Sequence, residues 1–383
     1  MKARSLPSIL IGLAISLPLT CLAAPIFNLQ YVPGTSLQAQ QGFQAAAARW
    51  SRVLNDNVTI ELTVGFNSLG SSILGQTGSS EAFYRYGDVR NALAQDVTSA
   101  YDRQAQAHLP GGDNFGVLIN NTANNPNGPG SAVPYVDNNG DDNNQYLFMS
   151  NAEAKALGLA PPGQSLPGCL GNCDGFIQFN SDFTFDFDPG NGIAANAIDF
   201  IGVAMHEIGH ALGFLSGVDI LDFNSPPLGG PYDDTEFTYV SPLDLFRYSA
   251  ESTAAGVIDW TADNRDKYFS LDGGVTRGPL FSNGAYHGDG RQASHWRDQL
   301  GLGIMDPTVA YGERLVLRPN DLIALDAIGW DVSLFAVPVP GTLPLLCLGL
   351  LLMGLLRHNK RQFSWGERFF QVKKVFLEEN SKC

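Results

Sequence analysis

Two histidines four residues apart with a glutamate between them, His206, Glu207 and His210 in the stretch VAMHEIGHALGFLSGVD (203–219), carry the clearest chemistry in this 383-residue chain. On a helix, side chains at i and i+4 lie on one face, so both imidazoles can reach a single ion. Glu207 is too close to His206 in sequence to complete that chelate and instead lies beside it, where a carboxylate can hold a water. Neutral imidazoles hold zinc, zinc brings the pKa of a bound water toward neutrality, and an adjacent base then lets that water attack a carbonyl. Apolar residues surround the motif (Ile201, Val203, Ala204, Ala211, Leu212), while Gly209 and Gly213 permit close packing and a sharp exit.

A catalytic zinc takes three protein ligands and leaves one position open. A compact helix-borne site would place the third ligand three residues after Gly213, and Ser216 stands there. No Glu in the later part of the chain has an Asp four residues on, which removes a carboxylate from a second helix. Four further histidines exist, His108, His287, His295 and His358, of which the last follows a long apolar run. His295 lies in GRQASHWRDQLGLGIMDP (290–307), where a tight turn carries Met305; His287 lies beside Gly288 and Gly290 and is the alternative metal ligand.

The elements that must position these residues are partly legible. FQAAAARWSRVL (43–54) puts Phe43, Ala46, Ala47, Trp50 and Leu54 on one helical face. VTIELTVGF (58–66) alternates as a strand, and 114–120, 144–150 and 175–181 read as further strands, the last as an edge along which a peptide aligns. Ser150 caps a short helix, with Glu153 in the capping-box position and Gly158 as its stop. Residues 25–213 thus form an α/β or α+β lobe ending in the histidine helix. From 214 to 332 the texture changes to Gly- and Pro-rich loops with short helices. One is SPLDLFRYS (241–249), with Ser241 as cap, Pro242 at the first helical position and Asp244 at the third; another starts at a capping Asn320 and ends near Gly329.

The ends read as export and anchoring signals. Lys2 and Arg4, an apolar run and small residues before Pro25 make residues 1–24 a signal peptide. Residues 333–341 are a Pro-rich linker, 342–356 an uncharged transmembrane or sorting helix, and 357–383 a basic cytoplasmic tail opened by Arg357, His358, Lys360 and Arg361. The chain holds 23 Lys and Arg against 38 Asp and Glu, net −15. Because basic residues concentrate at the ends, the body is more acidic still, which argues against nucleic acid as a partner. Of five cysteines, Cys169 and Cys173 alone lie in the body; in an exported chain, CLGNC reads as a local disulfide. Asp137–Asn144 and Asp182–Asn191 are dense enough in oxygen for Ca2+, although solvated turns account for both more simply.

Taken together, HEIGHALGF, the downstream HW and the GIMDP turn resemble the leishmanolysin-type branch of the metzincins, zinc metalloproteases whose third histidine is displaced by an insertion. The resemblance implies an α+β metzincin-like fold: an upper lobe with a mixed twisted sheet and the active-site helix, and an irregular lower lobe with a Met-turn and a C-terminal helix. It implies His206, His210 and His295 as ligands of one catalytic Zn2+, Glu207 as general base and Met305 as the Met-turn residue. A protein or peptide substrate follows. The body also resembles secreted bacterial metalloproteases, and VPVPGTLPLLCLGLLLMGLL followed by RHNKR resembles the PEP-CTERM sorting signal of Gram-negative bacteria. That second likeness implies an exosortase-type processing enzyme as partner and an extracellular or cell-surface location. The alternative function is a non-enzymatic surface or matrix protein that uses zinc only to hold itself together.

Overall fold

A four-stranded mixed sheet, with a helix lying against another helix across it, positions the histidine motif. The computed structural model describes residues 24–70, 73–161, 166–230 and 232–333. They belong to the first of two units, Met1–Val337; the second, Pro338–Cys383, lies outside the described residues. So do nearly all of the expected signal peptide and linker, and the whole of the expected apolar segment and tail. Among the described residues no helix is long and apolar enough to cross a membrane.

Strand β1 (Ile26–Tyr31) leads into helix α1 (Leu37–Ser51), and β2 (Thr59–Asn67) returns parallel to β1. Parallel neighbours need a crossover of this kind. Helix α1 begins six residues before the expected Phe43, because Ser36 caps it by accepting from the Ala39 N–H. Its apolar face, Ala39, Phe43, Ala46, Ala47 and Trp50, is buried, while Leu54 lies beyond its end in a bridge with Val332. Then come β3 (Gly75–Ser79), β4 (Glu81–Arg85), β5 (Tyr146–Ser150), α2 (Asn151–Ala156) and β6 (Gly175–Asn180). As expected, Ser150 caps α2 and Gly158 ends it, at φ +67°.

The sheet order is β1–β2–β6–β3, with β6 parallel to β2 and β3 antiparallel to β6. This corrects the expectation for 175–181. Strand β6 is interior, paired on both sides, and the edge belongs to β3. The sequence of β3, GQTGS, has no alternation of apolar and polar residues to announce a strand. The expected 114–120 strand shortens to Val117–Ile119.

Helix α3 (Phe200–Ala211) carries the motif, followed by α4 (Val218–Asn224). Later strands are two or three residues long, and the expected 241–249 helix is a single 3-10 turn, Leu243–Phe246, because Arg247 and Tyr248 pair with Phe269 and Tyr268. Helix α5 (Pro319–Ala327) is not capped by Asn320, which lies inside it and donates Nδ2–H to the Leu302 carbonyl at 2.8 Å. The helix entry is held by Asp321, which accepts from the Arg318 N–H at 2.7 Å. The architecture is α+β, with several small sheets and α-helices.

Cys169 and Cys173 are joined by a disulfide with their Cα atoms 6.0 Å apart. In the two acidic stretches the carboxylates serve their own turns. Asp137 accepts from the Asn143 amide at 2.7 Å, and Asp186 accepts from the Asp188 and Ala194 N–H groups at 2.9 Å each.

Candidate metal centre and cleft

Helix α3 is built to hold its two histidines still. Asp199 caps it by accepting from the Gly202 N–H at 2.9 Å, and the same carboxylate accepts from the Leu315 N–H. The indole N–H of Trp50 donates to the Met205 carbonyl at 3.0 Å and that of Trp330 to the Leu212 carbonyl at 2.7 Å. At the far end Gly213, at φ +105°, allows a Schellman turn: its N–H bonds to the His210 carbonyl at 3.0 Å and the Phe214 N–H to the Gly209 carbonyl at 3.1 Å. The turn carries the Phe214 carbonyl back to 2.8 Å from His210 Nδ1. The residue that stops the helix therefore also aims its second histidine.

The third histidine arrives from 85 residues away. Asp219, in the first turn of α4, accepts from the Ala293 N–H at 2.6 Å, the Ser294 N–H at 3.1 Å and the Ser294 hydroxyl at 2.5 Å. The Ser216 N–H donates to Ser294 Oγ at 2.8 Å, and Ser216 Oγ–H to Asp244 at 2.6 Å. Buried Arg247 completes the cradle, bonding Asp244 and the carbonyls of Ser282 and Ala293. Beyond His295, the Trp296 indole donates to Asp321 at 2.9 Å, and Asp321 also accepts from the N–H groups of Ile304 and Met305. One carboxylate thus ties the HW segment to the methionine turn. Met305 packs under α3, where a Cβ at Gly209 would come within 2.5 Å of its Sδ.

The three rings meet tip to tip. The Nε2 atoms of His206, His210 and His295 form a triangle with sides of 3.1, 3.2 and 3.3 Å. Each Nδ1 lies against a backbone carbonyl: Ile304 for His206 at 2.8 Å, Phe214 for His210 at 2.8 Å, Gln292 for His295 at 3.2 Å. A carbonyl can only accept, so every Nδ1 carries the proton and every Nε2 presents a lone pair. Three lone pairs aimed at one point repel unless a cation stands among them. Three ligands of a tetrahedral ion at metal–imidazole distances of about 2.0–2.1 Å are about 3.4 Å apart, close to the spacing found. Burial above all, with the neighbouring His206, pushes His210 down to about 3, and burial and the other two histidines hold His295 well below its ordinary value. Both therefore stay neutral, as ligands must. Among the described residues this is the one convergent group of three or more His, Cys, Asp or Glu side chains, and it can hold a metal ion.

The cluster lies on the floor of a cleft of about 700 Å³. One wall is β3 with Leu74; the other includes Gly290 to Gln292 and Pro307 to Val309. Glu207 opens into it beside the histidines, and Thr77, on β3, donates its hydroxyl to Glu207 Oε2 at 2.5 Å. Sequence reading missed Thr77 and Asp219, since contacts across 130 and 75 residues leave no local pattern.

His287 is elsewhere. Its Nδ1 lies 2.9 Å from Asp222 and its Nε2 2.7 Å from the Pro226 carbonyl, so both ring nitrogens face acceptors of their own. The structure thus brings His295, and not His287, to the other two histidines. No known family model, curated protein or solved structure matches the chain.

Proposed function

We propose that the chain is a zinc-dependent endopeptidase of metzincin type, exported and acting on protein or peptide substrates. The observation that carries this reading is the triangle of three Nε2 lone pairs, each fixed by a carbonyl behind it, with an acid on the open side. Imidazole ligands suit zinc among the abundant divalent ions, and three protein ligands leave a coordination position for chemistry. When bound, zinc supplies Lewis-acid polarisation of the scissile carbonyl and a water acidified toward neutral pH.

The protein's own residues do the rest. His206, His210 and His295 hold the ion, with their tautomers set by Ile304, Phe214 and Gln292. Glu207 takes the proton from the attacking water and returns it to the leaving amine, and the Thr77 hydroxyl keeps its carboxylate turned toward the floor of the cleft. The free edge of β3 offers backbone N–H and C=O groups to an extended peptide, which adds as a fifth strand across the histidines.

Glu207 also separates this reading from a purely structural zinc, which fills all four positions and has no use for a base. The test is digestion of casein or gelatin by the purified zinc-loaded protein against Glu207→Ala. Cleavage lost in the variant while its zinc content stays the same supports the proposal. Equal activity in both, or none in either with zinc bound, overturns it.

A further inference from the structure

After β3 the chain passes through Ser80 directly into β4, which leaves the cleft as one strand of a two-stranded ribbon with β5. Ser80 is pinned there by its hydroxyl, which donates to the Cys173 carbonyl at 2.6 Å. In the ribbon Glu81 stands opposite Ser150, Phe83 opposite Phe148 and Arg85 opposite Tyr146. Strand alternation places Glu81 and Phe83 on one face. Phe83 is 48 % exposed, and its ring lies 4.9 Å from that of Phe148 and 5.6 Å from that of Tyr239, which are themselves 5.2 Å apart. The platform lies just outside the cleft and connects to its lining at two points. Glu81 lines the cleft beside His210 and Leu215, and the Tyr239 carbonyl packs directly on Gly217, two residues past Leu215.

The Glu81 side chain has no hydrogen bond or ion pair among the described residues, although the residue is half-buried. Burial alone raises its carboxyl to about 7. The guanidinium lining the cleft, that of Arg291, bonds Asp298 through Nε at 2.9 Å and makes no ion pair with Glu81. A carboxyl group without a partner on the wall of a cleft rewards a cation brought to it and disfavours an anion. The direction of approach follows from β3. Antiparallel pairing is the more stable kind, and β3 runs from Gly75 to Ser79 past Glu207. A peptide added antiparallel to it sends its N-terminal residues toward Ser79 and Glu81.

Resting on the endopeptidase reading above, we propose that Glu81 and the Phe83–Phe148–Tyr239 platform form a specificity subsite for the part of the substrate N-terminal to the scissile bond. It selects a Lys or Arg side chain against Glu81. Two positions further toward the substrate's N-terminus it selects a large apolar or aromatic side chain against the three rings, because side chains two apart on a strand share a face. The methylene stem of a bound Lys or Arg lies along the same apolar surface.

The test uses the full chain with zinc and a set of fluorogenic peptides carrying Lys, Gln or Glu at each position N-terminal to the cleavage point, with Phe or Ala two residues before it. At one such position kcat/KM for Lys exceeds that for Glu by about tenfold or more. That ratio collapses in Glu81→Gln and inverts in Glu81→Arg, and the Phe-to-Ala ratio falls in Phe83→Ala. If Glu81→Arg does not fold, the near-isosteric Glu81→Gln decides. A ratio near one in the wild type, a ratio unmoved in Glu81→Gln, or a charge preference found only after the scissile bond overturns the proposal. If no peptide is cut at all, the endopeptidase reading fails, and the subsite is read separately by fluorescence anisotropy of the same labelled peptides on zinc-loaded Glu207→Ala. Tighter binding of the Lys peptide than of the Glu peptide supports it there, and equal binding overturns it.

Discussion

The backbone N–H of Ser216 donates to the hydroxyl of Ser294 at 2.8 Å. Ser216 occupies the place where a compact motif would carry its third ligand, and it uses that place to dock Ser294, the neighbour of His295. The carboxylate of Asp219 holds the same segment through three further bonds. Groups that orient metal ligands from outside typically contribute 10–100-fold to metal affinity. Asp219→Ala is therefore expected to weaken zinc binding by about that factor, measured by competition with a chromophoric chelator. The visible spectrum of the Co2+-loaded form changes with it. An unchanged spectrum and affinity beside a lowered Tm would give Asp219 a general stabilising role only.

Metal content separates the histidines. His206→Ala, His210→Ala and His295→Ala are expected to purify with little zinc, and His287→Ala with the wild-type amount, by atomic absorption. Removing the metal with a chelator lowers the Tm of the wild type, since an ion that binds only the folded state stabilises it by mass action. In His295→Ala the chelator has little left to remove.

Thr77 holds Glu207, the base in the proposed reaction. Thr77→Val keeps the shape of the side chain and removes the hydroxyl that reaches Glu207. A hydrogen bond to a charged group contributes about 1.5–3 kcal/mol, so a fall in kcat of about tenfold or more is expected with zinc content unchanged. A matching loss of zinc in Thr77→Val would mean that Thr77 acts on the metal site as a whole.

Buried acids near the ends of the described chain make stability depend on pH. Burial raises Asp56 to about 8, with Asp331 and Asp96 adding to the effect, and raises Asp326 to about 8, with Asp102 beside it. Unfolded, both carboxyls titrate near 3.9. The folded state thus keeps protons that the unfolded state has released, and the stability this contributes is complete below about pH 4 and lost as pH climbs through about 8. For the metal-free protein, Tm is expected to fall between pH 5 and pH 8. Asp56→Asn or Asp326→Asn flattens that slope and raises Tm at pH 8 by about 2–4 °C for each kcal/mol recovered. A flat profile in the wild type would remove the argument.

What the sequence made legible were residues whose chemistry is in the side chain itself. His206, Glu207 and His210 share one helical turn, and the resemblance carried by HW and the GIMDP turn pointed to His295 as the third histidine, which the structure brings within 3.3 Å of both others. The cleft wall was not legible. Strand β3 is held by backbone pairing to β6 and by contact with α3, so Gln76, Thr77 and Gly78 needed no apolar alternation to become a strand. The cap of α5 misled for a related reason: Asn320 has the side chain of a cap, yet Asp321 captures the Arg318 N–H and Asn320 bonds the Leu302 carbonyl instead.

The Schellman turn at Gly213 gives the site an order of assembly. His206, His210 and the carbonyl that orients His210 all lie within nine consecutive residues and form as soon as the helix forms and ends. Local structure of this kind is quick, whereas closing the long loop to His295 carries the entropy of a distant contact. On the proposed reading, half of the metal site is expected to form before the fold is complete, so that an ion captured there would wait for His295. Slow uptake of tight affinity after refolding would time the closure of that loop, with the metal as the clock.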